Sequence, residues 1–172
     1  MNNIDILISE EAIQNRVKEL GEQITEDYKD SDLVIITVLK GGFVFTADLV
    51  RRIDLPLTID LMAASSYGAG TESSGEVRIL KDINIDIKGK DVLIAEDILD
   101  TGNTLSMLKN LFEDRGAKSV KICVALDKPE RRTANVEADY IGFVVPNKFL
   151  IGYGLDYDEK YRNLPFVGVV NC

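Results

Sequence analysis

One stretch of fourteen residues, from Val92 to Leu105, constrains this chain more than any other part of it. It reads VLIAEDILDTGNTL, and its four leading apolar residues are typical of a strand buried in a parallel sheet. Two adjacent carboxylates, Glu96 and Asp97, follow that strand directly, and Asp100 is a third. Ligands bind in open parallel sheets outside the carboxyl ends of the strands, so this position predicts a binding site.

The polar run after Asp100 is predicted to be a turn from the strand into a helix, because the apolar residues from Leu105 to Phe112 recur at helical spacing. Backbone N–H groups at such a turn, with the positive end of the helix dipole, form a binding site for phosphate. Gly102 allows close approach of the backbone, and the hydroxyls of Thr101 and Thr104 can donate as well.

The carboxylates need a partner other than phosphate, which they would repel. A ribose diol beside its own 5′-phosphate offers two hydroxyl donors, and Mg²⁺ between carboxylates and substrate oxygens is compatible with the same arrangement. Neighbouring strand residues point to opposite faces, so Glu96 and Asp97 can share a ligand only if the chain leaves the strand there. The alternative is that Asp97 or Asp100 merely caps the next helix while Glu96 is solvated.

The stretch from Val92 to Leu105 resembles the phosphoribosyl pyrophosphate motif of the type I phosphoribosyltransferases. Four further segments occur in the expected order and narrow the resemblance to the hypoxanthine-guanine branch. They are residues 39–42 (LKGG), the loop of residues 65–75, the region of Lys128, and the run from Val145 to Arg162.

This resemblance implies an α/β fold with a doubly wound, mainly parallel sheet flanked by helices and a small hood subdomain. It implies Mg²⁺-dependent transfer of 5-phosphoribose from 5-phosphoribosyl 1-pyrophosphate to N9 of hypoxanthine, and of guanine, with inversion at C1′. The products would be IMP or GMP and pyrophosphate. A homodimer or homotetramer is implied as well.

By the same resemblance, Asp100 would be the catalytic proton acceptor near N7 of the purine. Glu96 and Asp97 would hold the ribose hydroxyls and the attached Mg²⁺. The 5′-phosphate would lie on Thr101, Gly102, Asn103 and Thr104. A helix N-terminus favours an ionised carboxylate and so weakens it as a base. We therefore expect most of the rate to come from positioning and from stabilising the departing pyrophosphate.

Lys40 and Gly41 follow another buried strand, and the family uses this loop for pyrophosphate, with an unusual non-proline cis peptide after the lysine. The alternative is an ordinary glycine-rich turn. Ser66 and Tyr67 begin a long polar run to residue 75, which the resemblance makes a lid that excludes water from the reaction. The alternative there is a disordered hairpin tip.

The base pocket is implied by residues nearer the C-terminus. Lys128 would donate to the purine O6, although an exposed lysine after a strand is usually a solvated charge. Phe149 would stack on the base, with core packing as the alternative, and Leu150 would supply backbone contacts. Asp156 would ligate a second Mg²⁺, and Arg162 would contact pyrophosphate oxygens with its planar guanidinium.

Three positions depart from better-known members of the family. Asn103 stands where mammalian-type enzymes carry lysine, so the phosphate has one side-chain cation less. Asn147 stands where many members carry aspartate, and Leu150 where valine is common. The last two positions leave the preference among hypoxanthine, guanine and xanthine open.

At 172 residues and 45% hydrophobic content, the chain is predicted to form one domain with a single core. The main part of the domain would span about residues 30–144, and the hood would be formed by the N-terminal segment and residues 145–172. Strands are predicted near residues 33–39, 57–65, 77–80, 91–96, 119–127 and 140–144, with helices at 41–53 and 103–115 and a capped N-terminal helix from Ser9.

Composition excludes several classes of function. The chain has no histidine, so no histidine-based nucleophile system, acid-base pair or metal site is available. A net charge of −9 argues against broad binding to nucleic acid or anionic membranes, and we expect neither partner. No segment reads as a signal peptide or membrane span, and the two cysteines, Cys123 and Cys172, do not make a disulfide framework. A cytoplasmic protein is therefore expected.

Two other classes of function compete with the transferase. One is a regulator on the same fold that senses nucleotides and binds RNA or DNA, which filter binding at low and high salt would detect. The other is a Mg²⁺-dependent phosphotransferase with an aspartate nucleophile at a strand end, which trapping of a phosphoaspartate would support.

Overall fold

The computed structural model describes residues 4–66 and 77–170. Its helices are α1 (Glu10–Asp27), α2 (Gly42–Val50) and α3 (Asn103–Asp114), with one short 3-10 turn at Pro129–Arg131. Its strands are β1 (Ile4–Ile8), β2 (Leu33–Leu39), β3 (Thr58–Ser66), β4 (Val77–Lys81), β5 (Asp91–Leu99), β6 (Ser119–Asp127), β7 (Tyr140–Val144), β8 (Leu150–Ile151) and β9 (Val167–Val170).

The main sheet has six strands in the order β4-β3-β2-β5-β6-β7. All neighbouring pairs are parallel except β3 and β4, which are antiparallel. The apolar run of β2 is buried on both faces, because alternate residues enter different cores: Leu33 and Ile35 pack on the side of α1 and α2, and Val34 and Ile36 on the side of α3. The predicted doubly wound, mainly parallel sheet is confirmed.

The three helices cover the sheet with apolar stripes. The Ser9 side chain caps α1 by accepting the backbone N–H of Ala12 at 3.2 Å, as the sequence pattern predicts. Leu108 and Phe112 of α3 are fully buried on the opposite face of the sheet. Helix α2 ends at Val50, earlier than the predicted residue 53. No helix within the described ranges is long and apolar enough to cross a membrane.

A second, three-stranded sheet is formed by β1, β9 and β8, and its neighbouring strands are antiparallel. Strand β1 escaped the sequence prediction because most of its side chains are exposed and it gains its partner, β9, from the far end of the chain. The segment between β8 and β9 is joined to α2 by Tyr153, whose hydroxyl donates to Asp48 at 2.7 Å.

Asp60 is a buried carboxylate in β3 that organises the chain after β4. It accepts backbone N–H groups from Leu61 at 2.8 Å, Asn84 at 2.6 Å and Ile85 at 3.2 Å. Burial raises the pKa of Asp60, but these hydrogen bonds outweigh burial and hold the pKa below its ordinary value. The ionised carboxylate is therefore the form that stabilises the folded protein.

Replacing Asp60 with Asn should lower the free energy of unfolding at pH 7 by about 2 kcal/mol, because a neutral amide makes weaker bonds and turns an N–H toward other donors. The deficit should be complete above the unfolded pKa of about 4 and should shrink as the pH falls through the lower native value. Urea unfolding at pH 7 and at low pH measures it, with the exposed Asp54→Asn as the control. A deficit of equal size at both pH values would contradict the assigned role.

Candidate active site

At the acidic end of β5, the two neighbouring strands pair with it over different lengths. Pairing with β2 ends at Ala95 opposite Thr37, whereas pairing with β6 continues to Leu99 opposite Asp127. The expectation that the chain leaves the strand at Glu96 is therefore wrong, because β6 holds it extended for three more residues, 97–99. From Glu96 onward β5 makes no backbone pairing with β2, and both Glu96 and Asp97 line one cleft although the chain is still extended there.

Glu96 and Asp97 form an acid pair, with their carboxylates close enough to interact although the two residues are consecutive in the strand. Glu96 Oε1 accepts the backbone N–H of Asp97 at 3.1 Å, and Asp97 Oδ1 accepts that of Ile98 at 2.7 Å. Burial, followed by the charge of Asp97, raises the pKa of Glu96 well above its ordinary value. Burial also raises the pKa of Asp97, against the hydrogen bonds that it accepts and the charge of Arg162. Such a pair favours a cation or hydroxyl donors as its partner.

The N-terminus of α3 has no side-chain cap. Gly102 occupies the cap position at φ +86°, a left-handed conformation that suits glycine, and no side chain accepts from the first turn. The alternative that Asp97 or Asp100 merely caps this helix is therefore wrong. The leading N–H groups of a helix have no intrahelical partner, so this end remains available to an anion. Asn103 and Thr104 are its first two residues.

Residues 132–136 stabilise the loop before α3 through hydrogen bonds to its backbone carbonyls. The carbonyl of Thr101 accepts the backbone N–H groups of Thr133 and Ala134, both at 3.0 Å. Arg132 donates to the carbonyls of Asp100 at 3.1 Å and Val136 at 3.0 Å. The guanidinium of Arg132 also makes a short ion pair with the carboxylate at the end of β6. No sequence signal identifies this role of Arg132, since one arginine among several charged residues after a strand is unremarkable.

Two clefts meet at Asp100. The first has a volume of about 230 Å³ and is lined by Glu96, Asp97, Ile98, Leu99, Asp100, Thr101, Gly102, Thr104 and Leu105. The second, of about 440 Å³, is lined by Ile98, Asp100, Lys128, Arg131, Asn147, Lys148, Phe149, Leu150, Leu155 and Asp156. Ile98 and Asp100 line both, so a ligand with one part in each cleft would pass beside the Asp100 carboxylate.

The second cleft combines a buried cation with an exposed aromatic ring. Lys128 is only 8% exposed, and its Nζ donates to the carbonyl of Lys148 at 2.9 Å, so it is not a solvated charge. Phe149 is 53% exposed, which excludes core packing, and its ring meets the ring of Tyr157 edge-on at 5.6 Å. Leu150 is buried beside them in β8. A flat, partly polar heterocycle fits these walls.

Asp100 has a neighbour to which the sequence reasoning assigned no role. The Nε atom of Arg131 lies 3.0 Å from Asp100 Oδ1, and Arg131 itself lines the second cleft. Both side chains are partly exposed. The Asp100 carboxylate therefore lies at the junction of the clefts beside an exposed cation, and Arg132 fixes the backbone of Asp100 through its carbonyl.

The loop after β2 packs directly against the acid pair. A cis peptide bond joins Leu39 to Lys40, so it precedes the lysine and does not follow it as predicted. A Cβ atom on Gly41 would overlap the carboxylate of Asp97. Gly154, at φ +99°, likewise leaves room for the carbonyl of Gly41. The two glycines therefore allow the loop after β2, the end of β5 and the segment after β8 to pack closely together. An ordinary glycine-rich turn would not need glycine for such contacts.

Arg162 reaches the same region from the segment before β9. It donates to the carbonyl of Gly154 at 2.8 Å and lies 3.1 Å from Asp156 Oδ1. Gly154 in turn packs against Gly41, which contacts Asp97, and the charge of Arg162 lowers the pKa of Asp97. Ser66 is the last residue of β3, opposite Val77 in β4. Tyr67 and the rest of the predicted lid, to residue 75, lie outside the described residues.

The carboxylates fit a magnesium ion of the substrate-bridged kind. Among residues 4–66 and 77–170, no three acidic, cysteine or histidine side chains converge as a preformed metal cage. Mg²⁺ needs none, because it is usually held by one or two carboxylates together with substrate oxygens and water. Glu96 and Asp97 supply oxygen donors of this type at the wall of the first cleft.

Comparison with known proteins shows the family to which the chain is similar. The family model described as phosphoribosyl transferase domain matches residues 4–158. The hypoxanthine-guanine phosphoribosyltransferase of Staphylococcus epidermidis is 55% identical over 168 residues, which cover 98% of this chain and 94% of that protein. The crystal structure of a hypoxanthine phosphoribosyltransferase from Staphylococcus aureus has a TM-score of 0.94 at 51% identity and covers 97% of this chain and 91% of that one.

A longer relative is also similar. The bifunctional protein TilS/HprT of Listeria monocytogenes is 52% identical over 165 residues, or 96% of this chain. This chain spans only 26% of the length of that relative. The similarity therefore concerns one part of the bifunctional protein.

Proposed function

The chain belongs to the phosphoribosyl transferase domain family, and from that premise we propose that it is a purine-salvage enzyme. The reaction is transfer of 5-phosphoribose from 5-phosphoribosyl 1-pyrophosphate to N9 of hypoxanthine or guanine, with inversion at C1′ and release of pyrophosphate. The observation that carries the proposal is the position of Asp100, which lines both the cleft between the acid pair and the N-terminus of α3 and the cleft beside Phe149. Similarity to named hypoxanthine-guanine phosphoribosyltransferases supports the choice of base.

In this proposal the first cleft holds the ribose phosphate. The uncapped N-terminus of α3, with Thr101 and Thr104, binds the 5′-phosphate, and Glu96 and Asp97 accept hydrogen bonds from the ribose hydroxyls. Lys40, with the backbone at Gly41, and Arg162 bind the pyrophosphate. Mg²⁺, when held by Glu96, Asp97 and, at a second position, Asp156, supplies positive charge that stabilises the departing pyrophosphate.

The second cleft holds and orients the base. Phe149 stacks on the purine, Lys128 donates to O6, and the backbone at Leu150 contacts the purine edge. Asp100 then accepts the proton from N7 as the bond from N9 to C1′ forms. Positioning of the two substrates contributes the larger share of the rate, since a carboxylate beside a helix N-terminus is a weak base.

The regulator and phosphotransferase alternatives have no comparable support. The Staphylococcus relatives named above are phosphoribosyltransferases by name, and the net charge of −9 does not favour binding to nucleic acid. Cytoplasmic localisation and a homodimeric or homotetrameric assembly belong to the same proposal; the former rests on the small number of cysteines.

A direct assay tests the function. The protein, Mg²⁺ and 5-phosphoribosyl 1-pyrophosphate are mixed with hypoxanthine, guanine, xanthine or adenine, and nucleotide formation is followed by ultraviolet absorbance. We expect IMP and GMP to form and adenine not to react, because the ammonium of Lys128 donates to an oxo group and not to an amino group. Chelation of Mg²⁺ should abolish the reaction. Absence of nucleotide with all four bases would overturn the proposal.

A further inference from the structure

A tight turn carries Glu159 to the edge of the active site. Tyr157 and Lys160 pair through two backbone hydrogen bonds of 3.0 and 3.1 Å, with Asp158 at φ +51° and Glu159 at φ +61° between them. Two consecutive left-handed residues are typical of a type I′ turn, which normally has asparagine and glycine at these positions. The backbone N–H of Glu159 also donates to Asp156 Oδ2 at 3.0 Å, which fixes the turn.

The carboxylate at the tip of this turn contacts two cations. Glu159 Oε2 lies 2.6 Å from Lys40 Nζ, and Oε1 lies 3.5 Å from a terminal nitrogen of Arg162. Lys40 follows β2 and Arg162 precedes β9, so the turn bridges distant parts of the chain. A glutamate is unfavourable in a left-handed conformation, and its placement there gives one carboxylate access to both cations.

These two cations are the ones assigned above to pyrophosphate. We propose that the Glu159 carboxylate competes with pyrophosphate for Lys40 and Arg162, and thereby weakens pyrophosphate binding and speeds its release; this inference rests on the proposed function. The side chains of Lys40 and Glu159 are 66% and 65% exposed, and exposed ion pairs are weak, so a multiply charged phosphate can displace the carboxylate. Because Glu159 is part of the chain, it is always available to rebind the cations afterwards.

The matched variants are Glu159→Gln and Asp158→Asn. Each removes one negative charge from the same turn, but only the first removes the carboxylate that contacts Lys40 and Arg162. Titration calorimetry with inorganic pyrophosphate and Mg²⁺ at low salt gives the dissociation constants. Glu159→Gln should bind pyrophosphate about three- to fivefold more tightly than the unchanged protein, whereas Asp158→Asn should differ by less than about twofold.

Steady-state kinetics provides a second measurement. Glu159→Gln should show a lower KM for 5-phosphoribosyl 1-pyrophosphate, because Lys40 and Arg162 are then free to bind the pyrophosphate group of the donor. Equal pyrophosphate affinity in the two variants, or weaker binding by Glu159→Gln, would overturn the inference. Nucleotide formation by the unchanged protein is scored separately, so its absence refutes the proposed function while the pyrophosphate titration still decides the role of Glu159.

Discussion

Replacing Asp100 with Asn lowers kcat by about 100-fold or more and leaves the KM for 5-phosphoribosyl 1-pyrophosphate within about twofold, if Asp100 is the proton acceptor. The amide of Asn has nearly the same shape and still offers an oxygen to Arg131, which lies 3.0 Å from the carboxylate. It cannot accept the proton from N7. The loss therefore falls on the chemical step and not on binding of the ribosyl donor.

Initial rates at varied donor concentration and saturating hypoxanthine measure this split. Glu130→Gln is the control, because Glu130 is exposed on the neighbouring 3-10 turn and has no role in the proposal. It should retain kcat within about twofold. Equal losses in kcat and in donor affinity for Asp100→Asn would remove the role assigned to Asp100.

The sheet and its helices were predictable because their signals are local. Buried runs such as the one from Leu33 to Leu39 lie in the interior of the main sheet, where both faces are covered and nearly every residue must be apolar. The spacing of Leu105, Leu108 and Phe112 records the single face that α3 buries. Strand β1 could not be found in this way, since its pairing with β9 joins opposite ends of the chain.

In the candidate site, too, the features set by contiguous residues were predictable and those set by distant contacts were not. The acid pair and the loop at Gly102 are contiguous in sequence, and the structure places them in one cleft. Other contacts in the site come from distant segments: Arg132 donates to the backbone carbonyl of Asp100, and Glu159 contacts Lys40 across 119 residues. Contacts of this kind depend on tertiary packing, so no local pattern identifies them. The predicted end of β5 near residue 96 is wrong for the same reason, because pairing with β6 extends the strand to Leu99.

Gly41 offers the sharpest test of how the site is packed. Its backbone has φ −56° and ψ −37°, which any residue adopts, so alanine introduces no backbone strain. The added methyl group would instead overlap the carboxylate of Asp97. That carboxylate cannot move without losing its hydrogen bond from Ile98, and it is the group proposed to hold the ribose hydroxyls. A displacement of about 1 Å at such a group costs about 100-fold in rate.

We therefore expect Gly41→Ala to lower kcat/KM for 5-phosphoribosyl 1-pyrophosphate by about 100-fold, with little change in thermal unfolding. A double-mutant cycle isolates the cause: in the Asp97→Ala background the overlap is gone, so Gly41→Ala should have almost no further effect. If Gly41→Ala lowers kcat/KM equally in both backgrounds, the methyl group blocks the ligand directly. The contact between Gly41 and Asp97 would then not determine where the ribose binds. Strong coupling between the two substitutions would instead show that the glycine is required at this position because the acid pair needs its space.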